Sequence, residues 1–102
     1  YGVEGFFCPA NMLDTAALQA MVNEAAERLG GVDVLVCNAG IQHVAPVEDF
    51  PADKWEAILG INLSAAFYLS KAVWPAMKAK GFGRIINIAS AHGLSASPYK
   101  SA

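Results

Sequence analysis

Three side chains near the end of the sequence could form a ligand-binding site. Ser90 offers a hydroxyl, His92 an imidazole and Lys100 an ammonium. They follow the apolar run 85–88, whose β-branched residues are typical of a buried parallel strand. Because open α/β sheets bind ligands at the carboxyl ends of their strands, this stretch predicts a site there. The alternative is that these are ordinary residues of a loop that follows a strand.

A second group of small and polar residues follows another apolar run. Asn38, Ala39 and Gly40 come directly after the predicted strand Val32–Cys37. Small residues let the main chain approach a flat ligand closely, so the tripeptide could form the floor of a cofactor cleft. A simple turn is the other interpretation of the same three residues.

Helical patterns precede each of these strands. Asp14 or Thr15 can cap a helix that Gly30 and Gly31 end. Its apolar positions are Leu18, Met21, Val22, Ala25 and Leu29. A short helix or turn is expected over Pro46–Phe50, and a longer helix from Pro51 to about Lys80, perturbed near its end by Pro75 and ended by Gly81–Gly83. Its buried stripe is expected to be Trp55, Leu59, Asn62, Ala66, Leu69, Val73 and Met77.

Asn62 is the polar member of that stripe. A buried amide needs partners for both its carbonyl and its NH₂ group. Asn62 is therefore expected either to brace a break in the helix, with a kink near Gly60, or to hold an ordered water molecule.

The order of the elements predicts the class of fold. A short apolar run at Gly5–Cys8 could close a first strand, which makes the order strand, helix, strand, helix, strand. Crossover helices between apolar strands indicate a parallel sheet with helices on both faces. The expected architecture is a doubly wound, Rossmann-like α/β unit that forms only part of a domain.

Composition limits the possible partners. Hydrophobic residues make up 55% of the 102 residues and charged residues only 16%, which favours the middle of a larger layered core. A formal net charge of −2 gives no electrostatic footprint for nucleic acid or for an anionic membrane surface. No uninterrupted apolar run approaches the roughly 18 residues of a membrane span. Membrane and nucleic-acid partners are therefore not expected.

The two cysteines favour a reducing compartment. Cys8 and Cys37 lie in apolar surroundings and do not form a metal-ligand pair. Without a secretory signal they are interpreted as packed, reduced thiols of a cytoplasmic protein. No metal site is predicted.

Taken together, these motifs resemble those of one family, the short-chain dehydrogenases/reductases. The matching features are Asn38-Ala39-Gly40 after a strand, Asn62 within a long helix, and the strand from Gly83 to Ser90. The resemblance covers essentially all 102 residues and implies the central part, 1–102, of a single Rossmann-like domain. The Gly-rich phosphate loop of that family would precede Tyr1, and its catalytic Tyr and Lys would fall at positions 103 and 107. The chain by itself is therefore expected to be inactive.

The resemblance also implies catalytic roles. Ser90 would donate a hydrogen bond to the carbonyl oxygen, where negative charge develops during hydride transfer. Asn62 would hold a water molecule that links the active-site Lys to solvent. Tyr99 does not replace the missing Tyr, because Lys100 is adjacent to it rather than one helical turn away.

The cofactor implied by the resemblance is NAD, with NADP left open. Asn38, Ala39 and Gly40 would line its adenosine side. The family usually has an Asp where Asn11 stands, so Asn11 and Met12 are expected as further cofactor contacts, with the Asn11 side-chain carbonyl as the acceptor. Cys37 replaces the Asn that commonly precedes the tripeptide.

A finer resemblance concerns the substrate. Gln42, His92 and Lys100 match residues that hold the carboxylate of a small 3-hydroxy or 3-keto acid in one branch of the family. Such an acid offers little apolar surface, so charge-assisted hydrogen bonds must provide the discrimination. Two alternatives stay open: a reductase of another small ketone or alcohol, and a nucleotide-binding relative without catalysis.

The long helix also carries aromatic residues outside its buried stripe. Phe67 and Trp74 imply an apolar outer face, which fits association into the homotetramers usual in the family.

Overall fold

The fold was analysed in a computed structural model, which describes residues 2–102. Two strands and three α-helices make up its regular structure, together with two short 3₁₀ turns and one π-helical turn. In chain order these are α1 (Thr15–Leu29), β1 (Val34–Cys37), the 3₁₀ turn Val47–Asp49, α2 (Ala52–Leu59), the π-turn Gly60–Ser64, α3 (Ala65–Lys80), β2 (Arg84–Asn87) and the 3₁₀ turn Ala91–Gly93.

The two strands form a parallel sheet. Val34 pairs with Arg84 at one end and Cys37 with Asn87 at the other. A parallel pair joined through a helical connection is the crossover unit of α/β proteins, which confirms the predicted class. The strand expected over 5–8 is not formed within residues 2–102, since the sheet there contains only β1 and β2 and neither pairs with that segment.

The core lies between one face of the sheet and the two longer helices. Leu18 and Val22 of α1 form a buried cluster with Leu69 and Val73 of α3. Leu35 of β1 packs against this cluster, as does Ile85 of β2. The shared apolar cluster holds both helices on the same side of the sheet.

The opposite face of the sheet is open. Val34 is 50% exposed, Val36 52% and Ile86 46%. Successive residues of a strand point to opposite faces, so these side chains lie away from the core. The expectation of helices on both faces is therefore met on only one face by the part of the chain that the structure describes.

Helix α1 begins and ends where its caps predict. The Asp14 carboxylate accepts a hydrogen bond from Ala17 N–H at 3.1 Å, which satisfies one of the free amides of the first turn. Gly30 ends the helix with a left-handed φ of 79°. Asp14, rather than Thr15, is thus the cap.

The hydrogen-bond pattern of the long helix changes where a break was expected, although the helix continues. Its hydrogen-bond pattern changes at Gly60, and Ala65 N–H then donates to Gly60 O across a π-turn. Pro75 does not end α3, which continues to Lys80 and stops at Gly81 with a φ of 76°. The predicted end is present, whereas at the predicted break the helix forms a π-turn and continues.

The predicted buried stripe of this helix is buried only in its second half. Leu69, Val73 and Met77 belong to the core cluster, whereas Trp55 and Asn62 are exposed. The sheet and α1 cover the second half, and α2 and the π-turn extend beyond them toward the loops at the carboxyl edge of the sheet. Helical spacing predicted the stripe, but it does not tell how far along the helix the core reaches.

From Ala52 to Lys80 the three segments form one continuous helix of 29 residues that is long and apolar enough to cross a membrane, by length and composition only. The sequence has no uninterrupted apolar run of this length, because charged and polar residues recur along the helix. The core helix of a soluble protein can have the same length and composition. Here Leu69, Val73 and Met77 pack into the core cluster.

Candidate active site

Register places the two predicted site loops side by side. Cys37 and Asn87 are paired at the last position of the sheet, and Ile88 N–H donates to Cys37 O at 3.0 Å. The chain then leaves β1 at Asn38 and leaves β2 toward Ser90. Both loops therefore start at the same edge, where parallel strands present ligand sites.

Asn62 anchors the first of these loops to the long helix. Its Oδ1 accepts a hydrogen bond from Ile41 N–H at 2.8 Å, and its Nδ2 donates to Ile41 O at 2.8 Å. The Asn62 side chain therefore braces the loop that follows β1, whereas the interpretation of the sequence expected it to brace a break in the helix itself or to hold a water molecule. Gly40 lies against the same amide, because a Cβ built there would be 3.5 Å from Asn62 Oδ1.

An inner cavity of about 450 Å³ opens at this edge between the sheet and the long helix. Its lining includes four of the predicted site residues, Met12, Asn38, Ala39 and Asn62. Cys37 also lines it, and burial raises the pKa of the Cys37 thiol, so this thiol is neutral at physiological pH. Both cysteines are free, as predicted.

Asn11 makes a local hydrogen bond before α1. Its side-chain carbonyl Oδ1 accepts a hydrogen bond from Leu13 N–H at 2.9 Å, a local turn before α1. An amide oxygen has two lone pairs, so this bond leaves one of them for the cofactor contact, which stays a prediction. The adjacent Met12 lines the inner cavity, so the segment still reaches the site through Met12.

Ser90 caps the 3₁₀ turn that follows β2. Its Oγ accepts a hydrogen bond from His92 N–H at 3.2 Å. The hydroxyl uses a lone pair in this bond and keeps its own proton for donation. Ser90 is exposed, and its O–H can therefore donate to a ligand oxygen.

An outer cavity of about 580 Å³ lies beside the 3₁₀ turn Val47–Asp49. His92 and Lys100 both line it, so the structure unites two of the three predicted carboxylate ligands. The hydrogen bond from Ala45 N–H to Tyr99 O, 2.9 Å long, ties the two loops together at this point. Tyr99 has a left-handed φ of 60°, a conformation that non-glycine residues rarely adopt.

The structure does not bring Gln42 into that group. Gln42 is exposed, directly after the braced Ile41, and does not line the outer cavity. Sequence reasoning in turn missed Glu48, which does line it. Only proximity across the fold identifies Glu48, because its local sequence is that of an ordinary short turn.

The residues present fit a nicotinamide cofactor. Small residues at the end of β1 leave the backbone accessible, and the inner cavity combines apolar walls with the amides of Asn38 and Asn62. Asn38, Ala39, Gly40 and Met12 are the residues that would hold it. Residues 2–102 contain no group of three or more His, Cys, Asp or Glu side chains placed to bind a metal ion.

A parallel sheet with a crossover helix and a cavity at its carboxyl edge defines a Rossmann-like unit. The chain belongs to the short chain dehydrogenase family, whose profile matches residues 2–102. This confirms the resemblance drawn from the sequence motifs.

Two curated relatives carry the same name. The chain is 52% identical over 94 residues to the D-beta-hydroxybutyrate dehydrogenase of Rhizobium meliloti (strain 1021). This match covers 92% of the chain and 36% of that protein. It is 50% identical over 101 residues to the D-beta-hydroxybutyrate dehydrogenase of Cupriavidus necator (strain ATCC 17699), covering 99% of the chain and 39% of that protein. The chain therefore spans less than two fifths of the length of these relatives.

A solved structure shares the fold. The gluconate 5-dehydrogenase of Burkholderia cenocepacia J2315, crystallised with NADP and tartrate, superposes with a TM-score of 0.83 at 39% identity. The match covers 88% of the chain and 35% of that structure. The predicted Rossmann-like class agrees with this likeness.

Proposed function

We propose that the protein containing this chain interconverts D-3-hydroxybutyrate and acetoacetate with a nicotinamide cofactor. The observation that carries the proposal is the outer cavity, where His92 and Lys100 converge from one loop. An ammonium and an imidazole at one site suit a small carboxylate, and two relatives with 50% or more identity are named D-beta-hydroxybutyrate dehydrogenase.

Each group has a distinct task in this proposal. The substrate carboxylate binds Lys100 Nζ and His92, which orients the carbinol carbon toward the inner cavity. Gln42 completes this set only if its loop turns toward the outer cavity when substrate binds. Carboxylate recognition therefore depends mainly on the two residues that already line one cavity.

The chemical step moves a hydride and a proton. A nicotinamide held by Asn38, Ala39, Gly40 and Met12 would supply the acceptor for the hydride that leaves the carbinol carbon in the oxidation. The hydroxyl proton leaves to a base, the Tyr that the family resemblance expects at position 103. Ser90 Oγ donates a hydrogen bond to the substrate oxygen and stabilises the charge that develops there in the reverse reaction. Asn62 Nδ2 has a second N–H that its bonds to Ile41 do not use. We propose that the water molecule that relays the proton binds beside this N–H.

NAD is the proposed cofactor, following the hydroxybutyrate dehydrogenase resemblance. The solved relative that holds NADP makes NADP the competing choice. A direct comparison of the two cofactors at saturating substrate decides between them. A preference for NADP would overturn the choice of NAD without affecting the proposed substrate.

We also propose a homotetramer in the cytoplasm. The assembly is supported by Phe67 and Trp74 of α3, which are 62% and 60% exposed on one helical face. The compartment is supported by the two cysteines, which are both free thiols. Sedimentation of the complete protein tests the assembly, and a monomer would contradict it.

The experiment for the activity uses the complete enzyme with D-3-hydroxybutyrate and with its uncharged isostere 3-hydroxybutyramide. Cofactor reduction is followed by absorbance. Loss of a charge-assisted contact of roughly 1.5–3 kcal/mol predicts a kcat/KM about 10- to 150-fold lower for the amide. Equal rates would favour a reductase of another small ketone or alcohol. Cofactor binding without turnover of any substrate would favour a non-catalytic relative.

A further inference from the structure

Gly60, at the start of the π-turn, is the point where the loop 11–13 before α1 meets the long helix. Its backbone has φ −62° and ψ −49°, a right-handed helical conformation that does not require glycine. Helix propensity also disfavours glycine relative to alanine at such a position. The close approach of Leu13 does require it, because a Cβ at Gly60 would overlap Leu13 Cδ2. The Leu13 side chain therefore lies directly over the glycine.

This contact joins two segments that line the inner cavity. Met12, the residue before Leu13, lines the cavity from the loop, and Asn62, two residues after Gly60, lines it from the long helix. Asn62 also holds the loop after β1 through its two hydrogen bonds to Ile41. The helix segment 60–62 thus contacts the loops that precede α1 and follow β1.

The hydrogen bonds of the loop 11–13 are local within residues 2–102. Leu13 N–H donates to Asn11 Oδ1 at 2.9 Å, and Asp14 N–H donates to Asn11 O at 3.0 Å. Met12 packs against the core cluster. Leu13 is 49% exposed and touches the helix at Gly60. The contact between Leu13 and Gly60 therefore fixes the loop on the helix, where no hydrogen bond between them does so.

We infer that Gly60 is a positioning residue for the cofactor, because it lets Leu13 dock on the long helix and so keeps Met12 in place at the inner cavity. Gly60 acts through Leu13 and Met12 and is not itself assigned a contact with the cofactor. The inference rests on one part of the proposed function, the placement of the nicotinamide cofactor in the inner cavity. It does not depend on which alcohol is oxidised.

Gly60→Ala separates positioning from stability. Leu13 Cδ2 is the end of a half-exposed side chain, so a methyl group at position 60 should push this side chain off the helix rather than distort the backbone. The better helix propensity of alanine offsets the lost contact, and the unfolding midpoint should change little. A loop that must become ordered when cofactor binds lowers the affinity, so the cofactor Kd should rise by about 2- to 13-fold.

The experiment titrates NAD and NADP into the complete enzyme by calorimetry. Leu13→Ala removes the other side of the same contact and should raise the Kd by a similar factor. The double variant should bind no more weakly than Leu13→Ala alone, because both changes act through one contact. Gly5→Ala is the control, since in residues 2–102 no other group lies within 4 Å of the methyl position, and its Kd should equal that of the wild type.

Hydrogen exchange of the cofactor-free enzyme provides a readout that does not involve cofactor. Exchange at the Leu13 and Asp14 amides should be faster in Gly60→Ala and in Leu13→Ala than in the wild type, because the loop is less firmly held. Gly5→Ala should leave it unchanged.

Two results would overturn the role of Gly60. One is a Kd in Gly60→Ala equal to that of the wild type. The other is a raised Kd without faster exchange in the loop, since the loop would then not be the part that moved. A wild-type enzyme that binds neither NAD nor NADP would overturn the cofactor site and this inference together. Cofactor binding without oxidation of hydroxybutyrate would contradict only the proposed substrate, and the Kd comparison would decide on Gly60 as before.

Discussion

The side-chain amide of Asn62 pairs with both peptide groups of Ile41. Ile41 N–H donates to Asn62 Oδ1 at 2.8 Å, and Asn62 Nδ2 donates to Ile41 O at 2.8 Å. The pair joins the π-turn of the long helix to the loop that follows β1. One residue thereby fixes the relative position of the loop and the helix segment beside the inner cavity.

Asn62→Ala should destabilise the protein and loosen this loop. Two hydrogen bonds are lost, each with a net value of roughly 0.5–1.5 kcal/mol, so the free energy of unfolding should fall by about 1–3 kcal/mol. Denaturant unfolding of the complete enzyme measures this change. Asn23→Ala is the control, because Asn23 accepts only from Gln19 on the exposed side of α1, and its effect should stay within about 0.5 kcal/mol. Equal effects of the two substitutions would contradict a bracing role for Asn62.

Lys100→Ala should impair turnover of the hydroxy acid far more than stability. Loss of a charge-assisted hydrogen bond of roughly 1.5–3 kcal/mol predicts a kcat/KM about 10- to 150-fold lower. Steady-state kinetics with D-3-hydroxybutyrate measure it. Lys54→Ala, at an exposed position of α2 that does not line the outer cavity, should leave kcat/KM near the wild-type value. An unchanged kcat/KM in Lys100→Ala would remove Lys100 from the site.

Gly83→Ala should strain the junction between α3 and β2. A Cβ at Gly83 would lie 2.8 Å from Met77 Cβ and closer still to Met77 Sδ, and Met77 is buried in the core cluster. Overpacking of this kind costs about 1–3 kcal/mol, which a lowered unfolding midpoint would reveal. Gly5→Ala is the control, since no other group lies within 4 Å of the position that its methyl would occupy. A midpoint for Gly83→Ala equal to that of the control would show that Met77 moves aside without cost.

Cys37 should react slowly with iodoacetamide near neutral pH. Burial raises the pKa of its thiol, and only the thiolate reacts, so the rise in rate with pH should come at higher pH than for free cysteine. Mass spectrometry of labelled peptides at several pH values measures this. Cofactor should slow the labelling further, because Cys37 lines the inner cavity. Labelling of Cys37 as fast as free cysteine at neutral pH would be inconsistent with a raised pKa.

The same shift has a consequence for stability. The pKa of Cys37 is higher in the folded than in the unfolded protein, so the folded state favours the neutral thiol. This contribution is present in full below the unfolded pKa and is lost as pH rises through the folded pKa. Stability should therefore fall at alkaline pH, and Cys37→Ser should reduce that dependence.

Several features could be predicted from local sequence. Asp14 and Gly30 bound α1 because a capping carboxylate and a left-handed glycine act on their immediate neighbours. Gly60 and Asn62 marked the position of the π-turn in the long helix, since an amide within an apolar stripe needs hydrogen-bond partners. These predictions depend on contacts within a few residues, or on a requirement that the residue itself imposes.

Other predictions failed because they depend on contacts that the local pattern does not reveal. The run at 5–8 has strand-forming residues, yet it forms no strand in residues 2–102, where the sheet consists of β1 and β2 alone. Trp55 was expected in the buried stripe of the long helix, yet it is exposed, because the core cluster does not extend to that end of the helix.

By itself, the sequence determined the family, the parallel α/β class and the two loops that carry the candidate chemistry, because motifs and apolar periodicity are properties of short stretches. Only the tertiary structure decided which side chains share a cavity. The hydrogen bond between Ala45 and Tyr99 brings Glu48 to the same cavity as Lys100, while Gln42 stays apart. Proximity across the chain depends on how the strands, helices and loops pack, and residue spacing does not record it.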